Sequence, residues 1–221
     1  MASSLAASSF AASSFAASSL AASSPALESG DGSGGSAQLH TGLQGDFEGR
    51  TFRTEIVDLG NSCFEGKPFS EEIQTIEYRS PEVILRAGYC GKADIWSLAC
   101  TIFELVTGEY LFDPKECKSG GRVMYEREED LLAHHQELLG PVPASLLRRG
   151  AKTRHFFTDA GSLQHITDLK PWPLDEVLID KYGMEVSAAH ALADFLLPML
   201  RLDPNHRASA AEMLVHPWLE S

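Results

Sequence analysis

The sequence predicts a mainly α-helical domain behind a low-complexity N-terminal tail. Three observations lead there. Four stretches beyond residue 90 place apolar residues at helical spacing; only one short run reads as a strand; and the first 45 or so residues carry neither regular period. The 221 residues are 43% hydrophobic and 22% charged, which allows one domain with its own core plus a tail.

The tail comes first. Leu5, Phe10, Phe15 and Leu20 lie five apart in a Ser/Ala pentad, a period that suits neither helix nor strand, and serines compete with helical hydrogen bonds. "SPALESGDGSGGSAQ" follows as a Gly/Ser linker, so residues 1–45 are expected to be disordered and residues 46–221 to form the domain. Gly30, Gly32 and Gly35 spell G-x-G-x-x-G, but with only Ser, Gly and Ala around them they read as linker. Organelle transit peptides are Arg-rich, and here the first basic residue is Arg50.

Within the domain, "RTEIVDLGN" reads as a strand over Thr54 to Val57 ending at a Gly turn. "GKADIWSLACTIFELVTG" sets Ile95, Leu98, Ala99, Ile102, Leu105 and Val106 at helical spacing, predicting a mostly buried helix stopped by Gly108. "REEDLLAHHQELLG" and "SAAHALADFLLPML" repeat that pattern. "SAAEMLVHPWL" closes the chain with Ser209 and Glu212 in capping-box spacing. The Pro- and Gly-rich stretch 141–185 reads as irregular.

Eighteen basic against 31 acidic residues give a net charge of −13, which disfavours broad binding to nucleic acid or anionic membrane and suits basic partners. No run of about 18 apolar residues exists to span a bilayer. Cys63, Cys90, Cys100 and Cys117 form no C-x-x-C pair, so a reducing cytoplasmic or nuclear setting is expected. His134 and His135 lack a third ligand at zinc spacing and read as packed or surface histidines.

Several short motifs occur in an ordered series: "DLG" at Asp58 to Gly60, "SPE" at Ser80 to Glu82, "DIWS" at Asp94 to Ser97, and Arg207 in "PNHRASA". In that order they resemble the C-terminal lobe of a protein kinase, from the metal-binding turn through the activation segment into the scaffold helices. "DLGNSC", "IQTIEYRSPEVIL", "ELLGPVP", "HITDLKPW" and "FLLPML" are similar to the SR-protein kinases, which phosphorylate serines in Arg-Ser repeats. The expected fold class is therefore mainly α: a truncated, protein-kinase-like C-lobe with a disordered N-terminal tail.

The resemblance implies roles for particular residues. Asp58 would hold magnesium against ATP phosphates. Glu82 and Arg207 would form a structural ion pair, and Asp94 would hydrogen-bond the catalytic loop, a partner it is expected to have lost here. Thr75, Tyr78 and Arg79 end the activation segment, for which no phosphorylation switch is expected. Glu109, Asp130, Glu137 and Lys181 stand where the family docks Arg-rich peptides, a task carboxylates suit because guanidinium presents a planar fork. Asp130 and Glu137, seven apart on one predicted helix, should share a face.

"HITDLKP", His165 to Pro171, imitates the catalytic loop H-x-D-x-K-x-x-N, but His165 and Asp168 are three apart and Pro173 takes the Asn place. In the SR-protein kinases this segment lies in a later insert. The first lysine is Lys67, so none precedes Asp58 to meet ATP, and no H-x-D precedes it either. The chain reads as the second half of a kinase domain, with no catalytic residue of its own; ATP and Mg are implied by family only. Three readings stay open: a Ser/Thr kinase represented by its C-lobe, which would join an N-terminal kinase half and act on Arg-Ser-rich proteins; a catalytically dead module that docks Arg-rich peptides; and a truncated fragment.

Overall fold

The computed structural model describes residues 54–220, so the expectations for the pentad tail and its linker lie outside the described residues. In chain order the elements are α1 (Pro81–Ile84), α2 (Lys92–Thr107), β1 (Cys117–Ser119), β2 (Arg122–Tyr125), α3 (Arg127–Leu139), α4 (Ala144–Arg149), α5 (Thr153–Phe156), α6 (Leu174–Asp180), α7 (Val186–Leu196) and α8 (Ala210–Met213). Single 3-10 turns stand at Leu59–Asn61, Ile76–Tyr78 and Pro217–Glu220.

Helix α2 is central to the core. Trp96, Ala99, Cys100 and Phe103 stand at positions i, i+3, i+4 and i+7, so they line one face, and all are buried. That face joins a single core with Leu131 and Leu132 of α3, Leu174 and Leu178 of α6, and Ala189, Leu192 and Leu196 of α7. Gly108, at φ 80°, ends α2 by donating its N–H to the Glu104 carbonyl, a left-handed cap that glycine adopts without strain. The opposite face departs from the expected burial: Leu98 and Leu105 are 46% and 55% exposed. The apolar stripe is wider than the packed surface, because periodicity alone does not say which rows find a neighbour.

Helix α3 opens on Glu128, Glu129 and Asp130, whose charges suit the positive end of its dipole. In α8 the Ser209 side chain accepts from the Glu212 amide and Glu212 reaches back to Ser209, the box its spacing predicts.

Three local readings are corrected. Residues 54–57 are exposed and form no strand; an extended run needs a neighbour for its backbone groups, and the described residues bring none. Residues 117–125 instead form an antiparallel hairpin, with Gly120 and Gly121 both at positive φ as a two-residue type I′ turn demands. Stretch 141–185 contains α4, α5 and α6, each too short for its period to stand out among the prolines and glycines. Among the described residues no helix is long and apolar enough to cross a membrane.

Candidate functional site

The expected activation segment is held from inside. Gln74, buried and at φ 67°, donates from Nε2 to the Ala93 carbonyl at 2.8 Å and to the Ser97 hydroxyl at 2.9 Å. Its Oε1 accepts from the Ser80 amide at 2.9 Å. One amide side chain thus ties the segment to the start of α2 and to Ser80, the residue just before α1. Sequence reading missed it, because a glutamine in "EEIQTIEY" carries no mark of burial.

The following residues build on that anchor. Tyr78 is buried and donates to Glu104 at 2.6 Å; burial, then the Glu104 carboxylate, pushes its phenol far above the ordinary value. Arg79 donates to the Gln74 carbonyl and lies 3.6 Å from Glu128 and 3.8 Å from Glu72. Thr75 is exposed. Between this segment and the foot of the hairpin lies an open groove of about 490 Å³. Glu72, Glu116, Glu126 and Glu128 line it, and its two arginines, Arg79 and Arg127, are already ion-paired, Arg127 with Glu77 at 2.7 Å.

Glu82 and Arg207 meet across 125 residues in two parallel bonds, 2.7 and 2.8 Å, with both side chains fully buried. Arg207 also donates to the Arg201 and Lys92 carbonyls and lies 5.0 Å over the Trp96 ring. A buried charge pair is tolerable only with such complete hydrogen bonding. Asp94, in the first turn of α2, is half-buried and bears electrostatically on Tyr89, so it has not been left without a partner.

The four residues expected to dock Arg-rich peptides fall into two sets. Glu109 and Lys181 pair at 2.7 Å, with the Tyr182 hydroxyl donating to the same Glu109 oxygen at 3.0 Å. The Lys181 hydrogen bond, then Tyr182, holds the Glu109 carboxyl below its usual range. Burial works against the Lys181 charge, but Glu109 and Tyr182 overcome it and raise the ammonium. Asp130 and Glu137, both on α3, are each engaged by a backbone amide: Asp130 accepts from Lys115 at 2.7 Å and Glu137 from Lys170 at 2.9 Å. Each bond uses one oxygen of a carboxylate that can accept several.

Those bonds also fix what "HITDLKPW" does. The amide and Nδ1 of His165 both reach the buried Glu129 carboxylate at 2.7 Å, and the Trp172 amide donates to the Glu137 carbonyl. The segment lies along α3 as a bound strap and does not form a catalytic loop.

Asp58 stands apart. It takes φ 60° before the 3-10 turn, its side chain makes no cap bond, and residues 54–61 are all exposed. Among the described residues no group of three or more His, Cys, Asp or Glu could hold a metal. A lone exposed carboxylate does not fit a magnesium–nucleotide site, since magnesium keeps near-octahedral oxygen ligation shared between carboxylates and phosphates. No chemical step follows from these residues alone.

The ordered motifs and the buried Glu82–Arg207 pair define a class, and comparison with known proteins agrees: the chain belongs to the protein kinase family, whose protein kinase domain model matches residues 48–219. That family generally uses ATP and magnesium. Within it, the chain's similar proteins are of the SR-protein kinase kind. It is 49% identical over 166 residues to serine/threonine-protein kinase SKY1 of Saccharomyces cerevisiae, covering 75% of this chain and 22% of that protein. It is 47% identical over 167 residues to human SRSF protein kinase 3, covering 76% and 29%. Against protein kinase dsk1 of Schizosaccharomyces pombe, identity is 42% over 188 residues, covering 85% and 34%. The chain therefore spans between 22% and 34% of the length of these relatives.

Proposed function

We propose that this chain supplies the helical, substrate-binding lobe of a serine/threonine protein kinase of the SR-protein kinase type. Such an enzyme transfers the γ-phosphate of ATP to serines in Arg-Ser-rich proteins. The 221-residue polypeptide by itself binds basic, Arg-rich segments and transfers no phosphate.

The observation that carries this reading is an asymmetry. The activation segment is pinned to α2 through Gln74, beside a carboxylate-lined groove. The Asp58 turn, in contrast, is exposed over its whole length. The docking role of Glu109, Asp130, Glu137 and Lys181 follows from the chemistry of guanidinium recognition: planar carboxylates, in a chain of net charge −13, attract arginines and do so less in salt.

The test is binding of a fluorescent Arg-Ser repeat peptide to the purified full chain across a salt series, alongside a phosphate-transfer assay. The expected result is salt-sensitive binding, weakened by Asp130→Ala and Glu137→Ala, with no transfer to peptide. Phosphate transfer abolished by Asp58→Ala would overturn the inactive half of the proposal. A folded sample that ignores the peptide would overturn the docking half. A second reading, a docking module with no catalytic partner, is favoured by the exposure of Asp58. A complementary polypeptide carrying the Gly-rich loop, ATP lysine and catalytic loop would restore activity on the first reading and leave the second inert.

A further inference from the structure

The strongest chemical anomaly in the described residues lies in the core, away from the docking face. His135 of α3 is fully buried, and neither ring nitrogen has a hydrogen-bond partner. Its imidazole sits edge-on to Trp96 of α2, centroids 4.7 Å apart, and edge-on to Phe112, 4.6 Å apart. Those two rings are themselves stacked at 5.9 Å, so the histidine occupies an aromatic slot that joins α3 to α2. A buried imidazole that bonds nothing is there as a flat apolar filler, in its neutral form.

The charges that bear on the ring oppose a proton there. From its own helix, His134 does so; from the loop after α7, the Arg207 guanidinium does so, lying 5.0 Å over the same Trp96 ring. The Glu82 carboxylate is fully engaged with Arg207 and sends no bond to His135. Burial first, then His134 and Arg207, holds the imidazole well below the ordinary histidine value.

We propose that His135 is an acid-sensitive latch in the core: taking up a proton drives its ring out of the Trp96–Phe112 slot and loosens α3 from α2. The consequence spreads because α3 carries the carboxylates that hold the rest. Glu129 and Glu137 fasten the 165–172 strap, and Asp130 fastens Lys115 ahead of the hairpin. Histidine ordinarily titrates near ~6.5, so it is below that value that acidification begins to weigh against the packed, neutral ring.

The direction follows from linkage. In the unfolded chain His135 protonates near ~6.5, while in the folded chain it stays neutral to lower pH. Below ~6.5 the unfolded state binds one more proton, and the folded-to-unfolded ratio drops about tenfold for each pH unit from this residue alone. Above that value His135 contributes no pH dependence.

The test compares urea unfolding of the full-length chain and of His135→Leu between about pH 8 and about pH 5.5. Leucine fills the slot without a titrating group, and the comparison subtracts every other histidine. The expected result is a wild-type ratio that falls relative to the variant by about tenfold per pH unit below ~6.5 and runs parallel above it. Parallel curves throughout would overturn the proposal. Should the leucine variant not fold, histidine ring resonances of the wild type decide. A His135 signal that stays neutral until the protein unfolds supports the latch, and one that titrates near ~6.5 in the folded state overturns it.

Discussion

Residues 54–69 and residues 74–107 lie close together in sequence and are opposite in construction. In the first, the backbone hydrogen bonds among described residues are two local turns, Ser62 to Leu59 and Lys67 to Phe64, and Phe64 and Phe69 face solvent. In the second, Gln74, Tyr78, Ser80 and Glu82 are all buried, and each is bonded to a partner at least five residues away. The difference teaches where this lobe stores its order. Residues 74–107 are determined by contacts within the core, whereas among the described residues the Asp58 turn has no such contacts to shape it.

If that contrast is right, substitutions on the two sides differ in cost by an order of magnitude. The largest effect belongs to Glu82→Ala, which strands the Arg207 guanidinium in a dry core and should cost about 3–5 kcal/mol in urea unfolding. Gln74→Ala comes next: it leaves the Ser80 amide and the Ala93 carbonyl without their partner, and each lost bond to a buried group costs about 1–3 kcal/mol. A neutral result there would break the comparison at its central point.

Asp203 sharpens it through pH. Burial opposes its charge, but the Asn205 amide, the Ser145 hydroxyl and Arg149 outweigh burial and hold the carboxyl below its usual range. Its contribution is therefore present above ~3.9, the unfolded value, and is lost as pH falls through the lower folded value. Asp203→Asn should remove about 1.5–3 kcal/mol at neutral pH and flatten that acid limb of the stability curve. Ser209→Ala, which deletes the α8 cap, should cost about 1 kcal/mol. Asp58→Ala should fall within about 0.5 kcal/mol of wild type, as a substitution on an exposed turn does. A larger loss would mean that the turn is held by the lobe after all.

What was legible in the sequence was whatever repeats or caps locally. The inner face of α2, the acid-led start of α3 and the Ser209 box all announce themselves within a few residues. The Gly120-Gly121 turn was equally local and was passed over because the strands beside it are only three and four residues long. The run at 54–57 carries strand-forming residues, yet a strand exists only with a neighbour. The roles of Gln74 and His135 were not legible at all. Both are polar residues whose burial is decided by elements 19 or more positions away, Gln74 by Ala93 and His135 by Trp96 and Phe112. The expectation of docking at Glu109, Asp130, Glu137 and Lys181 came from family resemblance, which did not show that Asp130 and Glu137 hold backbone amides. On the proposed function, those bonds would tie peptide docking to the integrity of the 165–172 strap.

Amide hydrogen exchange on the full-length chain, read residue by residue with and without an Arg-Ser peptide, tests the central contrast most directly. The account predicts near-global protection for α2 and the Tyr78 and Ser80 amides, almost none for residues 54–62, and added protection with peptide on α3 and residues 165–172. Strong protection of residues 54–62 in the free chain, or a peptide effect centred on the Asp58 turn, would contradict it.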